Sequence, residues 1–225
     1  FGSSAFAMGE FATAVGYGTV SEGVGAVALG AFAQAYGESS VALGDGAYAA
    51  EIGATATGGY ASAEGAYSTA TGYEAVASGL QGTATGFRSE ASGDASAAYG
   101  GYTVASGFGA SALGYGANAV GDGATAVGFG SDASGESAVA VGEGANASGF
   151  NSVAVGGSSF FGLLPTEATG DYATALGAAA YAPGYNSTAL GAWSMASGDD
   201  SIALGMDAFA SAESSVALGV GSEAD

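Results

Sequence analysis

Small and large side chains alternate along this chain within a repeating unit of seven residues. In each unit the alternating residues are followed by a glycine. Counted from that glycine, a small residue stands four positions before it, Ala stands two before it, and larger or polar residues stand three and one before it. Of the 32 unit positions from Gly2 to Gly219, 29 are glycine, and the exceptions are Glu51, Leu163 and Ala212. This alternation predicts a short strand with one face of small residues. The glycine and the two residues after it predict a turn.

A period of seven is also typical of a coiled coil, which needs large apolar residues at two positions of every heptad. Here the two most constant positions are Ala and Gly. Each glycine inside a helix costs about 1 kcal/mol relative to Ala, so 29 of them exclude a stable helix.

Successive units differ, so that the true period is fourteen. In one kind of unit the residues around the central Ala are apolar, as in Val41 and Leu43, and in the other they are mostly polar, as in Ser62 and Glu64. We therefore predict an all-β fold: a parallel β-solenoid, or β-roll, of 14-residue coils with two seven-residue strand–turn units per coil. Ala and Ser fill a narrow interior between the two strands of each coil.

The apolar units give one outer face of the solenoid a stripe that is larger than a soluble monomer tolerates. We expect this stripe to be buried against other copies of the chain in a symmetric oligomer. The residues predicted at the subunit interface are Val27, Leu29, Val41, Leu43, Leu113, Val127, Val139, Val141, Val153, Val155, Leu176, Leu190, Ile202, Leu204, Val216 and Leu218.

In one stretch, residues 157–167, the residue types depart from the repeat, although the spacing of seven residues is kept. The apolar units on its two sides are 21 residues apart, from Val153 to Thr174, which is one and a half coils. A seven-residue loop excursion is therefore predicted here, and Pro165 suits a loop because it cannot donate to a ladder. Otherwise residues 1–225 form a single repeat domain. Both ends fall inside a repeat, so we expect a fragment of a longer chain.

The strongly acidic net charge limits the classes of molecule that the chain is expected to bind. The chain has 21 acidic residues and one basic residue, and its net charge is −20. Nucleic acid is not expected as a partner because phosphate binding needs Lys and Arg, and no direct membrane contact is expected from this segment. Since Cys and His are both absent, Ser-His and Cys-His catalysis is excluded.

Paired carboxylates could hydrolyse glycosides, and Asp199 with Asp200, or Glu136 with Glu143, are the candidate pairs. All four lie at turn positions, where solvated surface charge is the ordinary interpretation, so we predict that the chain is not an enzyme. No cofactor is predicted. A structural divalent cation at the acidic turns of Asp45, Asp122 and Asp199–Asp200 is left open, although the calcium-binding nonapeptide of other β-rolls is missing.

Two ladders repeat every fourteen residues. Thr55–Thr57, Thr69–Thr71 and Thr83–Thr85 form a double rank of Thr, which is reminiscent of ice-binding solenoids. However, the rank lies on the face predicted to meet partner chains, and β-propensity explains it as well. The second ladder is aromatic and consists of residues directly after their glycines: Tyr73, Phe87, Tyr115 and Phe129.

These aromatic residues are candidate ligand contacts, because rings can stack on sugars or on protein loops. The alternative is that they only cover the turns. The excursion supplies the other candidate ligand contacts, since it is apolar where the pattern demands small residues: Phe160, Phe161, Leu163 and Leu164. Its alternative is packing against a neighbouring subunit.

Four segments share one motif: 40–44, 152–156, 201–205 and 215–219 read Ser, Val or Ile, Ala, Leu or Val, Gly. They resemble the Ser-Val-Ala-Ile-Gly repeat of trimeric autotransporter adhesin heads of the YadA type, and the resemblance covers essentially the whole chain. It implies a left-handed β-roll, a homotrimer, and a place at the outer tip of a bacterial surface fibre. Similar repeats also look like parts of phage tail fibres.

The function that follows is a non-enzymatic adhesin head on an extracellular fibre at the bacterial cell surface. It would bind a host or environmental surface protein or glycan through many weak copies, which gives avidity. The alternative is a structural segment of a phage tail fibre, located on the virion, or of another extracellular filament. A tailspike-like glycosidase is a third hypothesis.

Overall fold

The structure is a computed structural model that describes residues 1–158 and 164–225. Every regular element within these residues is a short β-strand, and they contain no helix. The described chain forms two compact units, residues 1–109 (unit 1) and residues 110–225 (unit 2). The prediction of an all-β chain is confirmed.

In unit 1, short strands of two residues alternate with long strands of three. In chain order they are Phe6–Ala7 (β1), Thr13–Val15 (β2), Val20–Ser21 (β3), Val27–Leu29 (β4), Gln34–Ala35 (β5), Val41–Leu43 (β6), Tyr48–Ala49 (β7), Thr55–Thr57 (β8), Ser62–Ala63 (β9), Thr69–Thr71 (β10), Val76–Ala77 (β11), Thr83–Thr85 (β12), Glu90–Ala91 (β13), Ala97–Tyr99 (β14) and Val104–Ala105 (β15).

Unit 2 continues the alternation of the two strand lengths. Its strands are Ser111–Leu113 (β16), Asn118–Ala119 (β17), Thr125–Val127 (β18), Asp132–Ala133 (β19), Val139–Val141 (β20), Asn146–Ala147 (β21), Val153–Val155 (β22), Glu167–Ala168 (β23), Thr174–Leu176 (β24), Tyr181–Ala182 (β25), Thr188–Leu190 (β26), Met195–Ala196 (β27), Ile202–Leu204 (β28), Phe209–Ala210 (β29), Val216–Leu218 (β30) and Glu223–Ala224 (β31).

Strands pair in parallel with strands of their own length. Val41 lies opposite Thr55 in the long-strand sheet, and Gln34 lies opposite Tyr48 in the short-strand sheet, so each partner is fourteen residues on. A parallel pair needs a connection of about a dozen residues. Here the intervening strand of the other sheet and its two turns supply that connection. Each unit is therefore a parallel β-solenoid with two strands per coil, as predicted.

The interior between the two sheets holds only small side chains. The central alanines, such as Ala42 of a long strand and Ala49 of a short strand, are 0% exposed. The largest fully buried side chains are those of Thr19, Thr103 and Thr166. Because cores are close-packed, a larger side chain could enter this interior only by forcing the sheets apart.

The two turns of a coil use glycine differently. In the turn after a long strand (the long turn), Gly44 has φ +138°, a conformation that L side chains rarely adopt. In the turn after a short strand (the short turn), Gly23 has no positive φ, but a Cβ there would run into the carbonyl of Gly37 in the next coil. The two described exceptions, Glu51 and Ala212, both occur in short turns, and neither has a positive φ.

The second residue after the glycine is left-handed in both kinds of turn, whatever its side chain. Tyr60 has φ +56° and Trp193 has φ +63°, which is uncommon for bulky residues. The ladder of hydrogen bonds imposes this conformation, since the Tyr60 amide donates to the Asp45 carbonyl one coil back at 2.8 Å.

The strand register shifts at the stretch where the sequence pattern changes phase. Asn146 pairs with Glu167, and Val153 pairs with Thr174, so both sheets skip 21 residues instead of fourteen. The two sheets of unit 2 thus continue past an insertion of seven residues. Residues 159–163 lie outside the described residues, and with them the candidate contacts Phe160, Phe161 and Leu163.

Candidate functional site

The predicted interface residues all lie on the outer face of the long-strand sheet of their unit. None of the sixteen is buried within the chain. Leu113 is 52% exposed and Leu29 is 46% exposed, whereas the alanines between such positions are inside. The Thr ladder occupies the same face of unit 1, where Thr69 and Thr71 pair with Thr83 and Thr85. The outer face of the long-strand sheet is therefore largely apolar in unit 2 and a mixture of apolar residues and Thr in unit 1, and the chain itself covers neither.

The outer face of the short-strand sheet is more polar. Asn118 Nδ2 donates to Asp132 Oδ2 of the next strand at 3.1 Å, and Ser62 Oγ donates to Glu64 Oε1 at 2.9 Å. Apolar residues interrupt this face in both units, for example Val76 in unit 1 and Tyr181 in unit 2. The sequence pattern assigned this face as polar and gave no weight to Tyr181.

The aromatic ladder lies along the long turns of each unit. Tyr73 and Phe87 stack with ring centroids 5.7 Å apart and planes 10° apart, and Tyr115 and Phe129 stack at 5.6 Å and 8°. Left-handed turn residues extend the row in unit 1, since Tyr60 packs on Tyr73 and Tyr102 packs on Phe87. These contacts cover the rings only in part, since Tyr115 is 54% exposed and Phe129 is 61% exposed.

The single basic residue of the chain belongs to this aromatic row. Arg88 Nε donates to Glu74 Oε2, and the Arg88 guanidinium lies 5.2 Å from the centre of the Phe87 ring. The hydrogen bond from Arg88 lowers the pKa of the Glu74 carboxyl. The pKa of the Tyr73 phenol is raised, chiefly by its hydrogen bond to Glu74. An ion pair and a cation–π contact therefore stabilise this aromatic row in addition to ring stacking.

Aspartates in the short turns bind backbone of the preceding coil. Asp199 Oδ1 accepts from the Tyr185 amide at 2.9 Å, and Asp94 and Asp171 accept equally from the Leu80 and Phe150 amides. These carboxylates satisfy turn N–H groups that lie outside the strands.

The candidate catalytic pairs do not form a shared site of the kind that glycoside hydrolysis needs. Asp200 Oδ1 accepts from Asn186 Nδ2 at 2.7 Å, while its neighbour Asp199 holds the Tyr185 amide. Glu136 precedes and Glu143 follows the long strand Val139–Val141, so this pair lies at opposite ends of one strand. Structural hydrogen bonds account for the first pair, and the second pair is not brought together.

The acidic turns do not gather into a metal centre in the described part of the chain, where no group of three or more acidic side chains could hold an ion. Asp45 lies in a long turn, and Asp122 and Asp199 lie in short turns. A cation at a single turn stays a prediction.

A cleft of about 340 Å³ opens on the short-strand face of unit 2. It is lined by Leu164, Pro165, Glu167, Ala179, Tyr181, Trp193, Ser194 and Met195. Leu164, the one residue of the predicted excursion contacts that is described, is 42% exposed at its rim. Sequence reasoning missed this cleft, although Glu167, Tyr181 and Met195 share a fourteen-residue spacing.

Residues 1–158 and 164–225 include no helix of the length and apolar character needed to cross a membrane.

Comparison with known families gives seven matches to the YadA head domain repeat (2 copies). They span residues 21–47, 49–75, 77–103, 105–131, 133–159, 168–194 and 196–222. Successive matches begin 28 residues apart, which is two coils, except that the sixth begins 35 after the fifth and thereby repeats the seven-residue insertion. No curated protein matches the chain. Since the matches cover most of its length, the chain belongs to the YadA head domain repeat family, a family of structural adhesin domains and not of enzymes.

Proposed function

We propose that this chain is the head of a bacterial surface fibre, a left-handed, homotrimeric β-roll that binds surfaces from outside the cell. The observation that carries this proposal is the exposed outer face of the long-strand sheet, which is largely apolar in unit 2. Membership of the adhesin-type family supports the same function.

The trimer is proposed because a single chain would leave the apolar side chains of the long-strand face exposed to water. Leu113 is 52% exposed, and Leu29, Leu190 and Ile202 are also exposed on this face. Contiguous apolar patches of this kind on soluble proteins mark interaction sites. A closed symmetric assembly buries the same face of every chain, and three copies are the number that the resemblance to trimeric heads implies.

Binding is proposed to occur on the surfaces that the trimer leaves open, namely the short-strand face and the two turn edges. These surfaces repeat every fourteen residues, so a ligand that touches one coil weakly can be held by many coils and by three chains together. The partner would be a surface protein or a glycan of a host or of the environment. A net charge of −20 disfavours polyanions as partners.

The proposed chemistry is binding without catalysis. In the described residues, the acidic groups at Asp94, Asp171 and Asp199 are engaged with turn backbone. His and Cys, which most nucleophilic mechanisms use, are absent from the sequence. Extracellular location at the bacterial surface follows from the adhesin function.

The test is surface plasmon resonance of the soluble chain over immobilised glycans and immobilised extracellular proteins. The trimer is expected to bind at least one surface with avidity. A chain made monomeric by Val139→Asp and Val153→Asp should bind the same surface at least about a hundredfold more weakly. If monomer and trimer bind with equal strength, multivalent adhesion is wrong.

A structural segment of a phage tail fibre or another extracellular filament is the second candidate. The observation that favours it is that the turn edges are occupied by the chain itself, through ring stacking and through aspartate–backbone bonds. Such a segment would form the same oligomer and would bind none of the immobilised surfaces. Association with purified virions would then identify it.

A further inference from the structure

The cleft of unit 2 differs from the rest of the solenoid surface because it gathers unlike side chains. Glu167 pairs in register with Tyr181, and Tyr181 pairs with Met195, so these three side chains begin three neighbouring short strands. The preceding long turns contribute Ala179 and Trp193, which are one coil apart. Leu164 and Pro165 form the remaining wall, where the chain re-enters the repeat.

The concavity follows from the sequence of these coils. Ala179 occupies the turn position that Trp193 occupies one coil later, so a methyl group stands beside an indole and leaves space next to it. The Trp193 amide is fixed by a 3.0 Å hydrogen bond to the Ala178 carbonyl, which holds the residue in its left-handed conformation. The side chain is 39% exposed, so a ligand can reach it.

The residues that line the cleft are of the types that bind an organic cation, which carries a positive charge on an apolar group. Indole and phenol rings attract cations to their faces, and the Met195 thioether is soft and adaptable. Glu167 adds a half-buried carboxylate. The chain has one basic residue, Arg88, which lies in unit 1 and is paired with Glu74, so unit 2 contains no Lys or Arg to neutralise Glu167.

We propose that this cleft binds an organic cation, either a quaternary ammonium group or the side chain of Lys or Arg on another molecule. The cation would lie against Trp193 and Tyr181 with Glu167 as its counter-ion. Ser194 is 0% exposed and donates its hydroxyl to the Gly191 carbonyl at 2.9 Å, so it offers no donor to a neutral ligand such as a sugar. A cleft of about 340 Å³ is at the small end of ligand sites, which suits a single head group or side chain.

The site lies on the short-strand face, away from the long-strand face that the proposed trimer buries. Its accessibility in the assembly therefore rests on the proposed function, whereas binding itself does not. A monomeric chain and a trimeric chain should bind the cation with the same affinity per site, so failure of the trimer and failure of the cleft are distinguishable.

Trp193 is the only tryptophan in the chain, so its fluorescence reports on this cleft directly. We expect choline chloride, titrated against sodium chloride at constant ionic strength, to change the emission saturably, with a dissociation constant in the millimolar range. Glu167→Gln should weaken binding at least about tenfold, since it removes the counter-ion and keeps the shape. The matched control is Glu90→Gln, which alters the same position of a short strand in unit 1 and should leave the affinity unchanged.

Two further titrations identify the source of the cation. Tighter binding of choline than of N-acetyl-arginine amide and N-acetyl-lysine amide points to a quaternary head group, and the reverse order points to a protein side chain. Glucose should give no saturable change. Saturation by glucose, no saturable change with any of the three cations, or equal affinities of Glu167→Gln and the unaltered chain would overturn the proposal. Tyr181→Ala, checked for folding by circular dichroism, should also weaken the binding.

Discussion

The long-strand sheet and the short-strand sheet enclose the same rows of alanine. They differ in the polarity of their outer faces and in the conformation of the glycine that begins each turn. The long-strand sheet carries the apolar face and enters turns with glycine at φ near +135°, as at Gly128. The short-strand sheet carries most of the polar face and enters turns without positive φ at glycine, as at Gly135. A seven-residue repeat therefore encodes two different half-coils, and the difference lies in the residues that flank a constant core.

The buried hydroxyls show the same division. Ser131, at the start of a short strand, donates its hydroxyl to the Gly128 carbonyl of the long turn at 3.2 Å. Ser152, at the start of a long strand, is equally buried, but its hydroxyl has no partner in the described structure. Other coils repeat the division: Ser89 donates its hydroxyl to the Gly86 carbonyl of a long turn at 3.1 Å, whereas the buried hydroxyl of Ser96, which follows a short turn, has no partner in the described residues.

The largest effect is expected from charges placed on the two outer faces. Val139→Asp with Val153→Asp puts two carboxylates into the proposed interface, where burial without a partner is costly. The assembly should dissociate to monomers in size-exclusion chromatography with light scattering. Ser134→Asp with Ser148→Asp, on the short-strand face of neighbouring coils, should leave its mass unchanged. Dissociation by both pairs would remove the distinction between the faces.

The next effect concerns the glycines of the two turns. Gly128→Ala should lower stability by about 3 kcal/mol, because Ala must adopt a positive φ and also meet the next coil. Gly135→Ala should cost less, about 1–2 kcal/mol, because only the close approach of its Cβ to the Gly149 carbonyl opposes it, and the chain already carries Glu51 at an equivalent position. Denaturant unfolding at fixed protein concentration measures both. The reverse order would mean that coil spacing, not φ, limits the turns.

A smaller effect is expected from the buried hydroxyls. Ser131→Ala loses a hydrogen bond to the Gly128 carbonyl and should cost about 1 kcal/mol. Ser152→Ala removes a buried hydroxyl without a described partner and should be neutral or stabilising. Thermal unfolding of the two variants beside the unaltered chain tests this pair. Equal losses would show that Ser152 is also hydrogen-bonded in solution.

The smallest effect is expected from the ion pair between Arg88 and Glu74 in the long turns. Since Arg88 lowers the pKa of Glu74 below its usual value of 4.5, the pair stabilises the fold above the unfolded-state pKa. That contribution is lost as pH falls through the lower, folded-state pKa. Titration of Glu74 by carboxyl NMR should show the pKa rising towards its usual value in Arg88→Gln. An unchanged Glu74 pKa in that variant would contradict the pairing.

The coil could be predicted from the sequence because its causes are local and repeated. Alternation around Ala42 fixes the inward face, and the spacing of Val153 and Thr174 fixes the register across the insertion. The left-handed Tyr60 could not be predicted, because intrinsic preference assigns such positions to Gly or Asn and the ladder overrides it. The cleft was missed for another reason: its aromatic wall combines a turn residue, Trp193, with the strand residue Tyr181 of the preceding coil.

The central claim is that the long-strand face is a subunit interface, and the solution mass of the purified, unaltered chain tests it most directly. Light scattering over a range of protein concentrations should report three chains per particle down to the lowest concentration measured. A stable, soluble monomer would contradict the account, because it would leave the exposed stripe that includes Leu29, Leu113 and Leu190 in water.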